Sequence, residues 1–244
     1  MTTFMMKDIF GKALLDYQND KYSEDIITWT NISDKDVLPL PYLFRNYSEM
    51  PKLEQKALQL SKGKILDVGC GTGSHSLWLQ EKGFDVKGID SSKGAIDVCK
   101  QRGIKNVEDK ALLEETDTFD TILLLMNGTG IFQEIIQVAK YLNHLKSLLN
   151  PNGQILIDSS DIAYMYEDED GGTWLDLNSG YYGELDYFLS YKGEEEAPMK
   201  WLYLDFETLK TACHTVGLKC ENVMDGEHFD YLAKLTFNHK QFEL

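Results

Sequence analysis

The chain alternates short apolar runs with amphipathic stretches over most of its length, and the character of the runs changes at Lys64. From there they are continuous instead of period two, as in strands buried on both faces. Strands are expected over residues 64–68, 85–89, 104–108, 119–126 and 154–158. Helices are expected between them, over 74–81, from Ser91 or Ser92 to Gln101 or Arg102, and over about 133–149. Gly83, Gly103 and Asn150-Pro-Asn-Gly153 supply the stops. Strands alternating with helices predict an α/β fold, a three-layer α-β-α doubly wound sheet.

The flanks read differently. Residues 4–17 carry a helical apolar period, 37–41 (Val-Leu-Pro-Leu-Pro) exclude an interior helix, and 51–60 suit a second helix. Residues 1–60 are therefore expected to form a helical cap with an extended joint. After residue 160 the alternation stops. Residues 181–192 and 201–205 are expected to pair as a β-hairpin within an insert spanning 161–204. Residues 206–216 suit a helix ended by Gly217, and 219–223 and 231–237 suit two last strands. The core is thus expected over 61–160 and 205–244.

Charge narrows the partners. The formal net charge is −16 over 244 residues. No cluster of bases offers the positive field that nucleic acid requires, and an anionic membrane surface is disfavoured likewise. No run reaches 18 apolar residues, and residues 1–8 lack a basic stretch followed by an apolar core. Cys70, Cys99, Cys213 and Cys220 form no CxxC pair and have no His at zinc-ligand spacing, which predicts reduced thiols in the cytoplasm and no metal. The acidity is local: residues 161–196 hold eleven acids and one base.

The chemistry-bearing stretch is Ile65-Leu-Asp-Val-Gly-Cys-Gly-Thr-Gly-Ser-His75. Glycines between a buried strand and a helix let the backbone approach a ligand, where the helix start offers free amides. The spacing is GxGxG, whereas a dinucleotide fingerprint wants GxGxxG, and this opposes a nicotinamide oxidoreductase. Asp67 precedes the first glycine, where a carboxylate suits an ammonium better than a pyrophosphate; alternatively it caps the helix or braces the loop. Asp90 closes the next strand, 17 residues after Gly73, where a carboxylate can accept both hydroxyls of a ribose.

These residues resemble class I S-adenosylmethionine-dependent methyltransferases. Ile65 to Gly73 is similar to that family's first motif, Gly88-Ile-Asp90 to its ribose-binding acid, Phe119-Asp120 to the start of its fourth strand, and Leu148-Leu-Asn-Pro-Asn-Gly-Gln154 to its turn before strand five. The resemblance implies a seven-stranded sheet whose last strand is antiparallel. It implies that Asp67 and the loop of Gly69, Cys70, Gly71 and Gly73 hold the methionine end of S-adenosylmethionine, with Asp90 on the ribose. It places Ala111 and Leu112 at the adenine, Asp109 as a possible donor partner, and Ser91 near the adenosine.

Methyl transfer from a sulfonium is an in-line displacement that mainly needs alignment and exclusion of water. After strand four the family's amino-group enzymes often carry Asp/Asn-Pro-Pro-aromatic; Met126-Asn-Gly-Thr-Gly130 matches only at Asn127. That departure speaks against methylation of a nucleic-acid base. Asn127 is either an active-site polar group in contact with the cofactor or a turn former, and His75 either a base or a local packing residue. Arg45 either forks the cofactor carboxylate or lies on the surface. Tyr22 and Trp29 are candidate lid aromatics. With Tyr164, Trp174 and Tyr182 of the acidic insert they suit an amine or cation; the insert could equally serve a dimer contact or form a solvated hairpin. The expectation is a monomeric or homodimeric methyltransferase acting on a small-molecule acceptor, or else a catalytically silent cofactor-binding regulatory or scaffold protein.

Overall fold

The computed structural model describes residues 7–167 and 180–238. The elements in chain order are α1 (Ile9–Gln18), β1 (Ile26–Thr30), β2 (Ser33–Leu38), α2 (Leu40–Leu43), α3 (Lys52–Leu60), β3 (Lys64–Val68), α4 (Ser74–Glu81), β4 (Asp85–Asp90), α5 (Lys93–Gln101), β5 (Val107–Asp109) and β6 (Phe119–Leu124). They continue with α6 (Val138–Ser147), β7 (Leu149–Ser160), β8 (Glu184–Tyr191), β9 (Glu194–Glu195), β10 (Met199–Leu202), α7 (Phe206–Thr215), β11 (Leu218–Asp225) and β12 (Asp230–Phe237).

The main sheet has seven strands in the order β11-β12-β7-β6-β3-β4-β5. Strands β3 to β7 are parallel, and β12 enters antiparallel to both β7 and β11. Side chains alternate between the faces, so each strand feeds two cores. Leu66, Ile122, Leu124, Ile155 and Ile157 pack with α6 and α7, while Ile65, Leu123 and Leu156 pack with α3 and α4. That is the three-layer arrangement that continuous apolar runs predict. The helix expected over 133–149 begins only at Val138, because Gln133 takes a left-handed φ of 68° and Glu134 is extended.

The N-terminal residues differ from a helical cap. Between α1 and α2 they form the hairpin β1–β2, and β1 pairs antiparallel with β8 of the insert. Cap and insert therefore share one sheet, ordered β10-β8-β1-β2 with β9 on β8. The hairpin was hidden because Ser33–Leu38 is mostly polar and exposed, with no apolar alternation to mark it as a strand.

Four of the insert's acids have partners in or beside this sheet. Glu194 pairs with Lys7 and Lys12, Glu196 accepts from the Phe10 amide, Asp186 pairs with Lys200, and Glu184 accepts from the Ile135 amide. Glu194 and Glu196 tie the insert to the N-terminal segment and α1, Glu184 ties it to the turn before α6, and Asp186 braces β8 against β10.

Helix α1 crosses α5 at closest range where Gly11 faces Gly94. A Cβ on Gly94 would lie 2.5 Å from the Gly11 backbone, so the helices could not stay in place. We expect Gly94→Ala to destabilise the fold by about 1–3 kcal/mol through overpacking. Urea denaturation checks this, and an unchanged midpoint would refute the close crossing.

Candidate active site

In a doubly wound sheet, ligands bind at the carboxyl edge where the strand order reverses. Here that point lies between β3 and β6, with the glycine loop after one strand and Met126-Asn127 after the other. Gly69, Gly71 and Gly73 all have positive φ (68°, 53° and 77°). A Cβ on Gly71 would meet nothing within 4 Å, so the loop backbone faces open space there. Gly73 caps α4 without a side-chain acceptor, which leaves the first-turn amides without that partner.

The loop is held from beneath. Asp90 Oδ2 accepts the Gly71 amide at 2.8 Å, and Oδ1 accepts the Ser92 amide at 2.8 Å. Burial pushes the Asp90 carboxyl up to about 6; the two amides oppose this, and the charges of Asp8 and Asp67 add to it. Asp8 reaches across from the N-terminal segment. It accepts from the Gly11 and Gly94 amides and from Ser92 Oγ, so α1 is latched to the start of α5 beside Asp90. Asp67 is 2% exposed and accepts from Ser76 Oγ at 2.6 Å, bracing the first turn of α4.

A cavity of about 200 Å³ opens at the same edge, lined by Tyr42, Leu53, Glu54, Met126, Asn127, Asp158, Ser159, Ser160 and Asp230. Met126 and Asn127 both take left-handed φ, 65° and 60°. This turns the Met126 and Gly128 amides onto Asp158, whose oxygens accept them at 3.0 and 2.8 Å. Burial pushes the Asp158 carboxyl up to about 7; the Gly128 amide opposes that, Glu54 adds to it, and Met126 and His75 oppose.

Behind this wall lies a buried charge cluster. The Arg45 guanidinium reaches both oxygens of Glu54, and His75 Nε2 lies 2.7 Å from Glu54 Oε2. All three side chains are nearly inaccessible. Burial raises the Glu54 pKa, but His75 and Arg45 outweigh it and hold the carboxyl below its usual value. Burial lowers His75, but Glu54 and Asp67 outweigh it and leave the imidazole above its usual value.

Several expected site residues are therefore elsewhere or otherwise engaged. Arg45 forks Glu54 and not a cofactor carboxylate, because its slot is 5% exposed and α3 supplies a carboxylate inside it. His75 bonds Glu54 as a buried ion-pair member. Cys70 packs inward against Cys99, 3.9 Å away, and against Gly88. Ser91 is exposed, and Ser92 is the residue that caps α5 and meets Asp8. Asp109 and Ala111 are exposed, while Leu112 belongs to the core. Asn127 lines the cavity, donating to the Leu202 carbonyl at 3.3 Å and accepting from Ser159 Oγ at 3.0 Å.

The four described aromatics expected at the acceptor do not converge, and none lines the cavity. Tyr22 donates to Asp25, and Trp29 stacks on Phe188 across the second sheet with Lys35 over its ring. Tyr164 stacks on Phe229, and Tyr182 donates to Asp161. Trp174 lies outside the described residues. Glu54 and Tyr42 also line the cavity, and no motif in the sequence marks either. Asp158 carried a signal, an aspartate at or near the end of an apolar strand, as Asp67 and Asp90 are. Among the described residues no group of three or more His, Cys, Asp or Glu is placed to hold a metal ion, and no helix is long and apolar enough to cross a membrane.

Comparison with known proteins agrees with this geometry. Residues 42–223 match the methyltransferase domain family. A solved S-adenosylmethionine-dependent methyltransferase from Bacteroides fragilis, in complex with S-adenosyl-L-homocysteine, is 42% identical, covers 95% of each chain and superposes with a TM-score of 0.89. The ubiquinone biosynthesis O-methyltransferase of Rickettsia conorii is 28% identical over 44% of this chain and 38% of its own. The cypemycin N-terminal methyltransferase of a Streptomyces species is 32% identical over 41% of this chain and 42% of its own. The chain thus spans less than half the length of these two curated relatives. A glycine loop at the sheet's switch point, the matched family domain and a full-length likeness to a methyltransferase structure holding the product cofactor together place this chain in the class I S-adenosylmethionine-dependent methyltransferase family.

Proposed function

We propose that the enzyme methylates a small amine-bearing or cationic acceptor seated in the cavity beside Asn127. Bound S-adenosylmethionine supplies a methyl group made electrophilic by the sulfonium. The residues present suit that cofactor: Gly71 leaves its loop open to space, and Asp90 stands at the loop's edge as an oriented acceptor. In this reading Asp90 takes the ribose hydroxyls, and Asp67 and the loop from Gly69 to Gly73 take the methionine end.

The observation behind the choice of acceptor is the lining of the cavity, whose residues include three acids, Glu54, Asp158 and Asp230, and among the described residues no Lys, Arg or His. Glu54 is matched by Arg45 and His75, while no ion pair with Lys, Arg or His involves Asp158 or Asp230 among the described residues. A cation entering the cavity gains charge complementarity that a neutral or anionic acceptor does not. The volume of about 200 Å³ suits a small metabolite. The two named curated relatives act, by their names, on an oxygen acceptor and on an N-terminus, so kinship leaves both atoms open; the acids favour nitrogen.

The test is transfer of labelled methyl from S-adenosylmethionine into separate pools of small amines, hydroxyl compounds and thiols. Label is expected in the amine pool. Label confined to the hydroxyl or thiol pool overturns the cationic acceptor.

A further inference from the structure

We propose that Asp158 is the group that takes the proton from the methyl acceptor. The inference deepens the acceptor reading above and rests on it.

Position comes first. Asp158 sits on β7 at the carboxyl edge, lines the cavity beside Asn127, and is 7% exposed. Each of its oxygens accepts one backbone amide, from Met126 and from Gly128. A carboxylate has about four acceptor directions, so two remain after these bonds. Three other groups at or behind the wall serve less well. Glu54 is spanned by Arg45 and bonded to His75, and His75 Nε2 is engaged with Glu54. Asp230 is half exposed and accepts from the His228 amide.

The charges around Asp158 set its working range. Glu54 on α3 and His75 on α4 face it with opposite signs, with Arg45 behind Glu54; Tyr42 on α2 and Asp230 and Tyr231 on β12 complete the surroundings. A buried carboxylate without a cationic partner holds its proton more tightly than one in water, and its value of about 7 suits a base working near neutrality.

The step is a single proton transfer. An acceptor ammonium passes one proton to an Asp158 oxygen: one N–H bond breaks and one O–H bond forms. The nitrogen keeps the electron pair and becomes a neutral nucleophile, and the aspartate becomes a neutral acid. A hydroxyl acceptor would give up its O–H proton in the same way. The amides of Met126 and Gly128 keep the carboxylate from rotating away.

Asp158 also braces the Met126–Gly128 turn, so loss of activity alone cannot separate a base from a strut. Two measurements do. The first compares wild type, Asp158→Glu and Asp158→Asn for methyl transfer to the amine and hydroxyl pools across pH, with S-adenosyl-L-homocysteine affinity measured in parallel. Wild-type transfer is expected to rise with pH and level off above about 7. Asp158→Asn is expected to lose about 100-fold or more in kcat and the pH limb with it, at unchanged affinity for S-adenosyl-L-homocysteine. Asp158→Glu is expected to keep a limb at reduced rate. An Asp158→Asn protein with the wild-type limb, or one whose S-adenosyl-L-homocysteine affinity falls as far as its rate, overturns the proposal. If label enters hydroxyl compounds alone, the amine reading falls while a limb lost in Asp158→Asn still supports Asp158 as the base.

The second measurement needs no acceptor and no Asn variant. In wild-type protein carrying 13C-carboxyl aspartate, one resonance is expected to titrate near pH 7, a second near 6 from Asp90, and Asp158→Glu should delete only the upper one. Absence of the upper titration overturns the proposal.

Discussion

Glu54→Ala is expected to lower the stability of this protein by about 3–5 kcal/mol, the range for removing one partner of a buried ion pair. Glu54 lies on α3, and both its neighbours come from other elements: Arg45 just after α2, and His75 in the first turn of α4. The substitution leaves the Arg45 guanidinium buried with no carboxylate, and its Nε already lacks a partner. For a domain of this size that loss corresponds to a melting temperature lower by roughly 6–20 °C. The effect depends on pH in a defined sense. Glu54 has a lowered pKa, so its contribution is complete above its ordinary 4.5 and is lost as pH falls through the lowered value. His75 has a raised pKa, so its contribution is complete below its ordinary 6.5 and is lost as pH rises through the raised value. Both are complete between pH 4.5 and 6.5, and the difference between wild type and variant should be largest in that window. Glu207→Ala is the control, because the Glu207–Lys210 pair is exposed and worth at most about 1 kcal/mol. A Glu54→Ala midpoint in urea no further from wild type than that of Glu207→Ala would show the cluster to be dispensable.

Asp90→Ala is expected to weaken S-adenosyl-L-homocysteine binding about 100-fold or more. In the reading above the side chain holds the ribose hydroxyls, and hydrogen bonds to a charged group contribute about 1.5–3 kcal/mol each, against 1.4 kcal/mol for each tenfold in affinity. It also holds the Gly71 amide, so its loss frees the glycine loop. Its raised value of about 6 adds a pH signature. The ionised form accepts both hydroxyls without carrying a proton, so wild-type affinity should decline as pH falls below about 6, and the variant should lack that decline. Calorimetry across pH reads both effects. Equal affinities in wild type and Asp90→Ala would remove this residue from the cofactor site.

Much of the fold and the glycine loop of the candidate site could be read from residue order. Continuous apolar runs mark β3, β4, β6 and β7 because those strands are buried on both faces. The glycines at 69, 71 and 73 mark the loop because only a backbone free to take positive φ can make that turn. By contrast β2 is polar and exposed, and it exists as a strand because β1 pairs with it. The roles of Glu194 and Glu196 are not legible in the sequence because their partners, Lys7, Lys12 and the Phe10 amide, are about 180 positions away in the chain. Arg45 shows the same limit: an arginine near a cofactor loop suits a carboxylate ligand, and only packing reveals that Glu54 occupies its fork.

Residue order by itself determined the doubly wound sheet, the switch-point loop and the two aspartates, Asp67 and Asp90, at its edge. Each is encoded in a span short enough for local periodicity and backbone chemistry to specify it. Tertiary structure alone decided that cap and insert form one sheet, that Arg45 and His75 converge on Glu54, and that among the described residues no Lys, Arg or His lines the cavity that Asp158 faces. Those outcomes depend on which side chains distant in sequence meet and on how much water reaches them, and a low-dielectric interior turns such meetings into shifted proton affinities. Asp67, Asp90 and Asp158 all lie at or within two residues of the carboxyl ends of their strands, at one sheet edge. Burial and partners alone set them apart, as a strut beneath α4, a holder of the glycine loop, and the proton acceptor proposed here.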